Sequence, residues 1–214
     1  MKIFIDFDDV LFNTKQFKED LAGVFLGHGI SKDLYNKTYY DDNTQDAIKT
    51  YNPMAQISRL TKETNINREK LLSSIESFLQ NASKYVFSDV ANFAKNFQAE
   101  NIYIISYGEI TFQAKKIEIS GIKRYIPNVL ITGKLKAEIL GEFLGNENLQ
   151  ENEAIFFLDD RVEQIHDVKN KFPEIVSVLV KRPEGRYQEM KKEECCNFEA
   201  HNLKEAEKII NSFN

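Results

Sequence analysis

The sequence predicts an α/β fold, a doubly wound parallel sheet interrupted by a long helical insert. Three observations carry that reading. Short runs of wholly apolar residues recur without alternation, as expected of strands covered on both faces. Stretches with helical periodicity separate most of them, which is the signature of βαβ units. One long segment after the first run has helical signals and no convincing strand, more residues than a single crossover helix needs.

In chain order, Lys2–Ile5 (KIFI) is the first strand. Residues 13–84 form the predicted insert. Within it Phe17, Leu21, Val24 and Phe25 recur at helical spacing, and Pro53 suits a first helical position before Met54, Ile57 and Leu60. Asn67 suits an N-cap before Leu71, Leu72, Ile75, Phe78 and Leu79. Ser88 is expected to cap a helix carrying Val90, Phe93, Ala94 and Phe97, which leads into a strand at Ile102–Ile105 (IYII). A helix at Ile110–Ile119 stops at Gly121. Val129–Ile131, Ile155–Leu158 (IFFL) and Ile175–Val180 (IVSVLV) are further strands. Helices at Lys134–Leu144 and around Val162, Ile165, Val168 and Phe172 lie between them. The tail after Pro183 reads as polar, with a last helix at Leu203–Ile210. Domain bounds follow: 1–12 with 85–214 as the α/β core, and 13–84 as a helical cap.

Composition limits the possible functions. The 214 residues are 42% hydrophobic and 29% charged, enough for a real core. A net charge of −5 disfavours gripping nucleic acid through its phosphates. No apolar run approaches the roughly 20 residues of a bilayer-spanning helix. The opening MKIFIDFDDV places carboxylates where a signal peptide would be apolar, so a cytoplasmic location is expected. Cys195 and Cys196 are adjacent and too close for an ordinary disulfide, and His28, His166 and His201 lack ligand spacing.

The strand ends are chemically richer. The first ends in Asp6 and Asp8, the second in Ser106, the third in Thr132 before Lys134, and the fourth in Asp159 and Asp160. In open parallel sheets ligands bind outside these carboxyl ends. Crowded carboxylates need a cation to remain ionised together, and an all-oxygen set suits a hard ion such as Mg²⁺. A carboxylate can attack phosphorus, a second one two residues on can move protons, and a lysine can neutralise phosphoryl oxygens.

Taken in order, these segments resemble the four motifs of the haloacid dehalogenase-like superfamily. Asp6-Phe-Asp8-Asp-Val10-Leu11 resembles the first, Ile104-Ile105-Ser106 the second, Gly133-Lys134 the third, and Phe156-Phe157-Leu158-Asp159-Asp160 the fourth. The resemblance spans nearly the whole chain. It implies a Rossmann-like core with a helical cap between motifs one and two. It implies Asp6 as nucleophile and metal ligand, and Asp8 as general acid/base whose backbone carbonyl is also on the metal. Ser106, Tyr107 and nearby N–H groups would hold phosphate, and Lys134 would steady nucleophile and phosphate, with Lys136 as the alternative. Asp160, with Asp159 beside it, would hold Mg²⁺. An acid at position 8 favours a phosphatase or phosphomutase over a dehalogenase, acting on a small phosphorylated metabolite. A catalytically silent phosphate binder and a phosphorylated receiver domain are the readings of other classes. The chain departs from the pattern at Asp9, where Gly is common, at Gln164, where Asp often stands, and at Tyr107-Gly108, where Asn often follows the hydroxyl residue. The cap tyrosines Tyr35, Tyr39, Tyr40 and Tyr51 are expected mainly to pack, and Asp41-Asp42 to lie in a solvated loop.

Overall fold

A computed structural model of the chain describes residues 1–40, 50–146 and 153–213; the Asp41-Asp42 expectation lies outside the described residues. Six parallel strands form one sheet in the order β3-β2-β1-β4-β5-β6. They are β1 (Lys2–Asp6), β2 (Ile102–Tyr107), β3 (Asn128–Thr132), β4 (Ile155–Asp159), β5 (Val176–Val180) and β6 (Phe198–Ala200). The apolar runs form the strands because helices cover both sheet faces. Ile3, Ile5, Phe156 and Leu158 pack on one side, and Phe4, Ile105, Phe157 and Leu179 on the other. The tail is polar up to Phe198, as expected, and strand β6, which the sequence reading did not include, begins there. Its three residues include Glu199, and it adds to the open edge of β5 through Val178↔Phe198 and Val180↔Ala200.

Between β1 and β2 lie α1 (Thr14–Gly27), α2 (Lys32–Tyr39), α3 (Pro53–Glu63), α4 (Arg68–Leu79) and the short α5 (Val90–Lys95). Asn13, Asn52 and Asn67 cap α1, α3 and α4 by accepting backbone N–H bonds, and Pro53 opens α3. Helix α2 has no apolar stripe in sequence, because its buried residues are Tyr35 and Thr38. Phe17, Leu21, Ile57, Leu71 and Ile75 share one continuous apolar cluster with Ile3, Phe7 and Phe12 of the sheet side. Ser88 is not the cap of α5. Asp89 stands there, and its carboxylate accepts bonds from Arg182 at 2.8 Å and from the Leu203 N–H at 2.9 Å. Arg182 also donates twice to the Val10 carbonyl, at 3.1 and 2.9 Å, tying the chain after β5 to the loop after β1.

The remaining helices are α6 (Ile110–Ser120), α7 (Lys136–Asn146), α8 (Val162–Lys171) and α9 (Leu203–Asn211). Gly121 ends α6 at φ 69°, a left-handed turn that glycine adopts freely. The sheet order reverses at β1, where β2 lies on one side and β4 on the other. The crevice beyond those strand ends is where this architecture places a ligand.

Candidate active site

Asp6 closes β1, and Asp159 and Asp160 follow on the adjacent β4, so strand register alone brings them together. One carboxylate oxygen from each of Asp6, Asp159 and Asp160 lies within 4.8 Å of the others, and all three residues are buried. Asp6 and Asp160 line a cavity between the strand ends, helices α1, α2 and α6, and Thr50 and Tyr51 ahead of α3; Asp159 does not line it.

The lysine of this cluster is Lys136, not Lys134. Lys136 Nζ lies 2.6 Å from Asp6 Oδ1 and 2.6 Å from Asp159 Oδ2, with its side chain 3% exposed. Lys134 is 73% exposed and, among the described residues, pairs only with Glu138, at 3.7 Å. The turn explains the choice. Thr132 Oγ1 accepts the Lys134 N–H at 2.9 Å and turns that residue outward. Helix α7 then starts at Lys136, whose stem lies buried.

Burial pushes the Asp6 carboxyl up to about 7; Asp159 and Asp8 add to the rise and Lys136 opposes it. Burial works against the charge of Lys136, yet Asp159 and Asp6 hold its ammonium well above the ordinary lysine range. Asp159 is committed on both sides, to Lys136 and to the Arg161 N–H at 3.0 Å. Asp160 is not. Both of its carboxylate oxygens are buried without a hydrogen-bond donor among the described residues. Burial, then the charges of Asp6, Asp159 and Asp9, raise its pKa well above the carboxylate range. A buried carboxylate without donors is costly, and the residue set around it is hard oxygen only. The site therefore fits a divalent cation held by Asp6 and Asp160. The Gln164 Oε1 and Arg161 Nε atoms nearby are also buried without hydrogen-bond partners among the described residues, although Arg161 Nε lies 3.7 Å from Glu163 Oε2, and both residues line the cavity.

Asp8 lines the same cavity but is held by a different set of partners. Lys116 Nζ is 2.6 Å from Asp8 Oδ1, Gln113 Nε2 donates to Oδ2 at 2.7 Å, and Thr14 donates its hydroxyl. Burial alone would raise this carboxyl; Lys116 and Arg186 overcome it and hold Asp8 far below the usual range. Lys116 is itself ringed by Phe7, Phe12, Phe17 and Phe112, with centroids 5.3 to 5.9 Å away.

Ser106 is fully buried and accepts a bond from Gln113 Nε2 at 2.7 Å, so Gln113 stands between Ser106 and Asp8. Ser106 is not on the cavity wall, whereas Tyr107 and Gly108 are. Gly108 makes this packing possible, because a Cβ there would meet Gln113 Cγ at 2.6 Å.

The Asp9 departure now has a physical reason. Its φ is 56°, a left-handed geometry that glycine favours and aspartate tolerates. Its buried carboxylate accepts the Lys15 N–H at 3.1 Å and pairs with Arg186 Nε, bringing Arg186 to the cavity mouth. Tyr39, Tyr40 and Tyr51 line the cavity, while Tyr35 is buried behind them.

Thr14, Gln113, Lys116 and Arg186 are site residues that the strand-end reading did not find. Lys116 and Gln113 carried a signal: polar residues on the same helical face as Phe112 and Ile117. Arg186 lies in an aperiodic polar stretch and carried none.

By sequence, no family profile and no curated protein matches the chain. By structure, it is similar to a haloacid dehalogenase-like hydrolase from Burkholderia xenovorans LB400, with a TM-score of 0.77 at 18% identity, over 99% of this chain and 96% of that one. It is also similar to the HAD-hydrolase YfnB from Bacillus subtilis bound to magnesium, with a TM-score of 0.65, 14% identity and 98% of both chains covered. A protein named as a β-phosphoglucomutase from Thermotoga maritima gives 0.62 at 13% identity, with both chains fully covered. The chain has the haloacid dehalogenase-like hydrolase fold.

Proposed function

We propose that this chain is a Mg²⁺-dependent phosphatase acting on a small phosphorylated metabolite through an aspartyl-phosphate at Asp6. The observation that carries the proposal is the pairing of Asp6 with Lys136 beside Asp160, whose two buried oxygens have no donor among the described residues. Asp6 and Asp160 would hold the ion, which when bound supplies charge neutralisation at the phosphoryl oxygens.

The chain's own groups account for the rest. Lys136 opposes protonation of Asp6, 2.6 Å away, and favours its ionised form. The Asp6 carboxylate attacks phosphorus, the bond from phosphorus to the leaving oxygen breaks, and an aspartyl-phosphate forms. Asp8 takes a proton from the water that attacks this intermediate, releasing phosphate and restoring Asp6. Donation of that proton to the leaving oxygen of the next substrate closes the cycle. The Lys116 contact keeps Asp8 ionised and makes proton donation the scarcer half, so esters with acidic leaving groups, which need little protonation, should turn over fastest. Helices α1 to α4 act as a cap over the cavity, limiting water during transfer.

The test is phosphate release from an ester panel with Mg²⁺. Activity abolished by EDTA and by Asp6→Asn, with a beryllofluoride adduct formed on Asp6, supports the reading. A metal-loaded protein inert toward every ester would overturn it. Product analysis on sugar phosphates separates release to water from return to substrate.

A further inference from the structure

Most cations of the cavity are spoken for. Lys116 pairs with Asp8, and Lys136 pairs with Asp6 and Asp159. Lys18, on α1, is different. It is half-buried on the cavity wall, and no carboxylate lies within ion-pair distance of it among the described residues. An aromatic stack holds it instead. Its Nζ sits 4.7 Å over the Tyr39 ring, which in turn stacks on Tyr51 at 4.2 Å and 12°. A ring face attracts the ammonium without using its N–H donors or cancelling its charge. Arg186 is only partly committed. Asp9 takes its Nε, and among the described residues its two Nη groups make no hydrogen bond. Burial first, then the Arg186 charge, lower Lys18 to about 8, with Asp8 and Asp9 opposing the fall. Lys18, held by a ring face, and Arg186, whose Nη groups make no hydrogen bond among the described residues, line one cavity and offer N–H donors to an anion that arrives with the ligand.

We infer that Lys18 and Arg186 form a second anion site, selecting phosphate esters whose leaving group carries a carboxylate or a second phosphate. This rests on the phosphatase reading, in which Lys136 and the metal face the transferred phosphoryl group. The anionic tail would bridge the Lys18 ammonium and the Arg186 Nη fork, joining the cap helix to the segment after β5.

The test compares n-propyl phosphate with 3-(phosphonooxy)propanoate and with propane-1,3-diyl bisphosphate. The second anion should raise kcat/KM by ~10-fold or more, a typical worth of one charge-assisted contact in a partly desolvated site. The carboxylate and bisphosphate arms tell which anion is preferred. Lys18→Met should bring the ratio between acid-bearing and plain ester toward one. A ratio near one in the native chain, or a ratio unchanged by Lys18→Met, overturns the inference; in particular, equal losses on all esters would assign both cations to the transferred phosphoryl group. Calorimetry on the Asp6→Asn variant separates binding from turnover. Tighter binding of the acid-bearing esters without hydrolysis by the native chain upholds the anion site and overturns the phosphatase reading. Equal binding of all three overturns the anion site.

Discussion

Lys116 and Asp8 form an ion pair at 2.6 Å inside a ring of phenylalanines, so the proton-transfer carboxylate carries its charge next to a cation that has almost no access to water. Removing the cation should release the carboxyl upward. In Lys116→Met, whose side chain fills similar space, the acidic limb of the pH–rate profile should move to higher pH, because Asp8 must then lose a proton over a range where it is now already ionised. A loss of ~10-fold or more at pH 5, shrinking toward pH 8, is expected from a profile of kcat where hydrolysis of the intermediate limits the rate. A uniform loss at all pH values would show that Lys116 acts only by packing.

The two lysines of the third motif should separate cleanly. Lys136→Met should reduce kcat/KM by ~10³-fold or more, the scale of removing a charge that stabilises the transition state. It should also lower the melting temperature of metal-free protein, since Asp6 and Asp159 lose their shared partner. Lys134→Met should do neither, because that side chain is 73% exposed. Parallel kinetics and thermal melts check both.

Stability should depend on pH in a way that Mg²⁺ removes. The folded-state pKa of Asp6 is raised to about 7 and that of Asp160 also lies well above the ordinary range, so without metal the folded chain binds more protons than the unfolded one. This contribution is fullest below the ordinary carboxylate range and is lost as pH climbs through about 7. Added Mg²⁺ should raise the melting temperature at pH 8 by roughly 5–10 °C at a hundredfold excess over Kd, and by much less at pH 5. Equal shifts at both pH values would contradict the assignment of these carboxylates.

Gly108→Ala should displace Gln113. The new methyl group would stand 2.6 Å from Gln113 Cγ, and Gln113 is the donor shared by Asp8 and Ser106. Kinetics should show a fall in kcat with little change in overall stability, because the side chain can swing away from the site. Gln113→Ala should reproduce the kinetic effect, and the double variant should add little.

How much of this was legible in the sequence follows from what each element buries. The strands at Lys2–Ile5 and Ile155–Leu158 were legible because both faces are covered, leaving runs with no polar interruption. Strand β6 was not, being three edge residues with Glu199 in the middle. Asp6, Asp8, Asp159 and Asp160 were legible because strand register fixes which ends meet. The choice between Lys134 and Lys136 was not, because it depends on a single turn bond from Thr132. Nor could the sequence tell that Ser106 would lie behind Gln113, or that Asp9 would occupy a left-handed turn and anchor Arg186, since these relations are set by tertiary packing.

The tie between Asp9 and Arg186 spans 177 positions. A growing polypeptide presents its first aspartates to the outside of the ribosome long before the guanidinium that balances one of them has been made. Until then Asp9, wholly enclosed in the finished protein, would have no counter-charge there, and the Val10 carbonyl would lack its Arg182 donors. Completion of the candidate site is thereby deferred until Arg186 has been made, and a product ending short of it would possess the acidic strand tips yet not the clasp that closes around them.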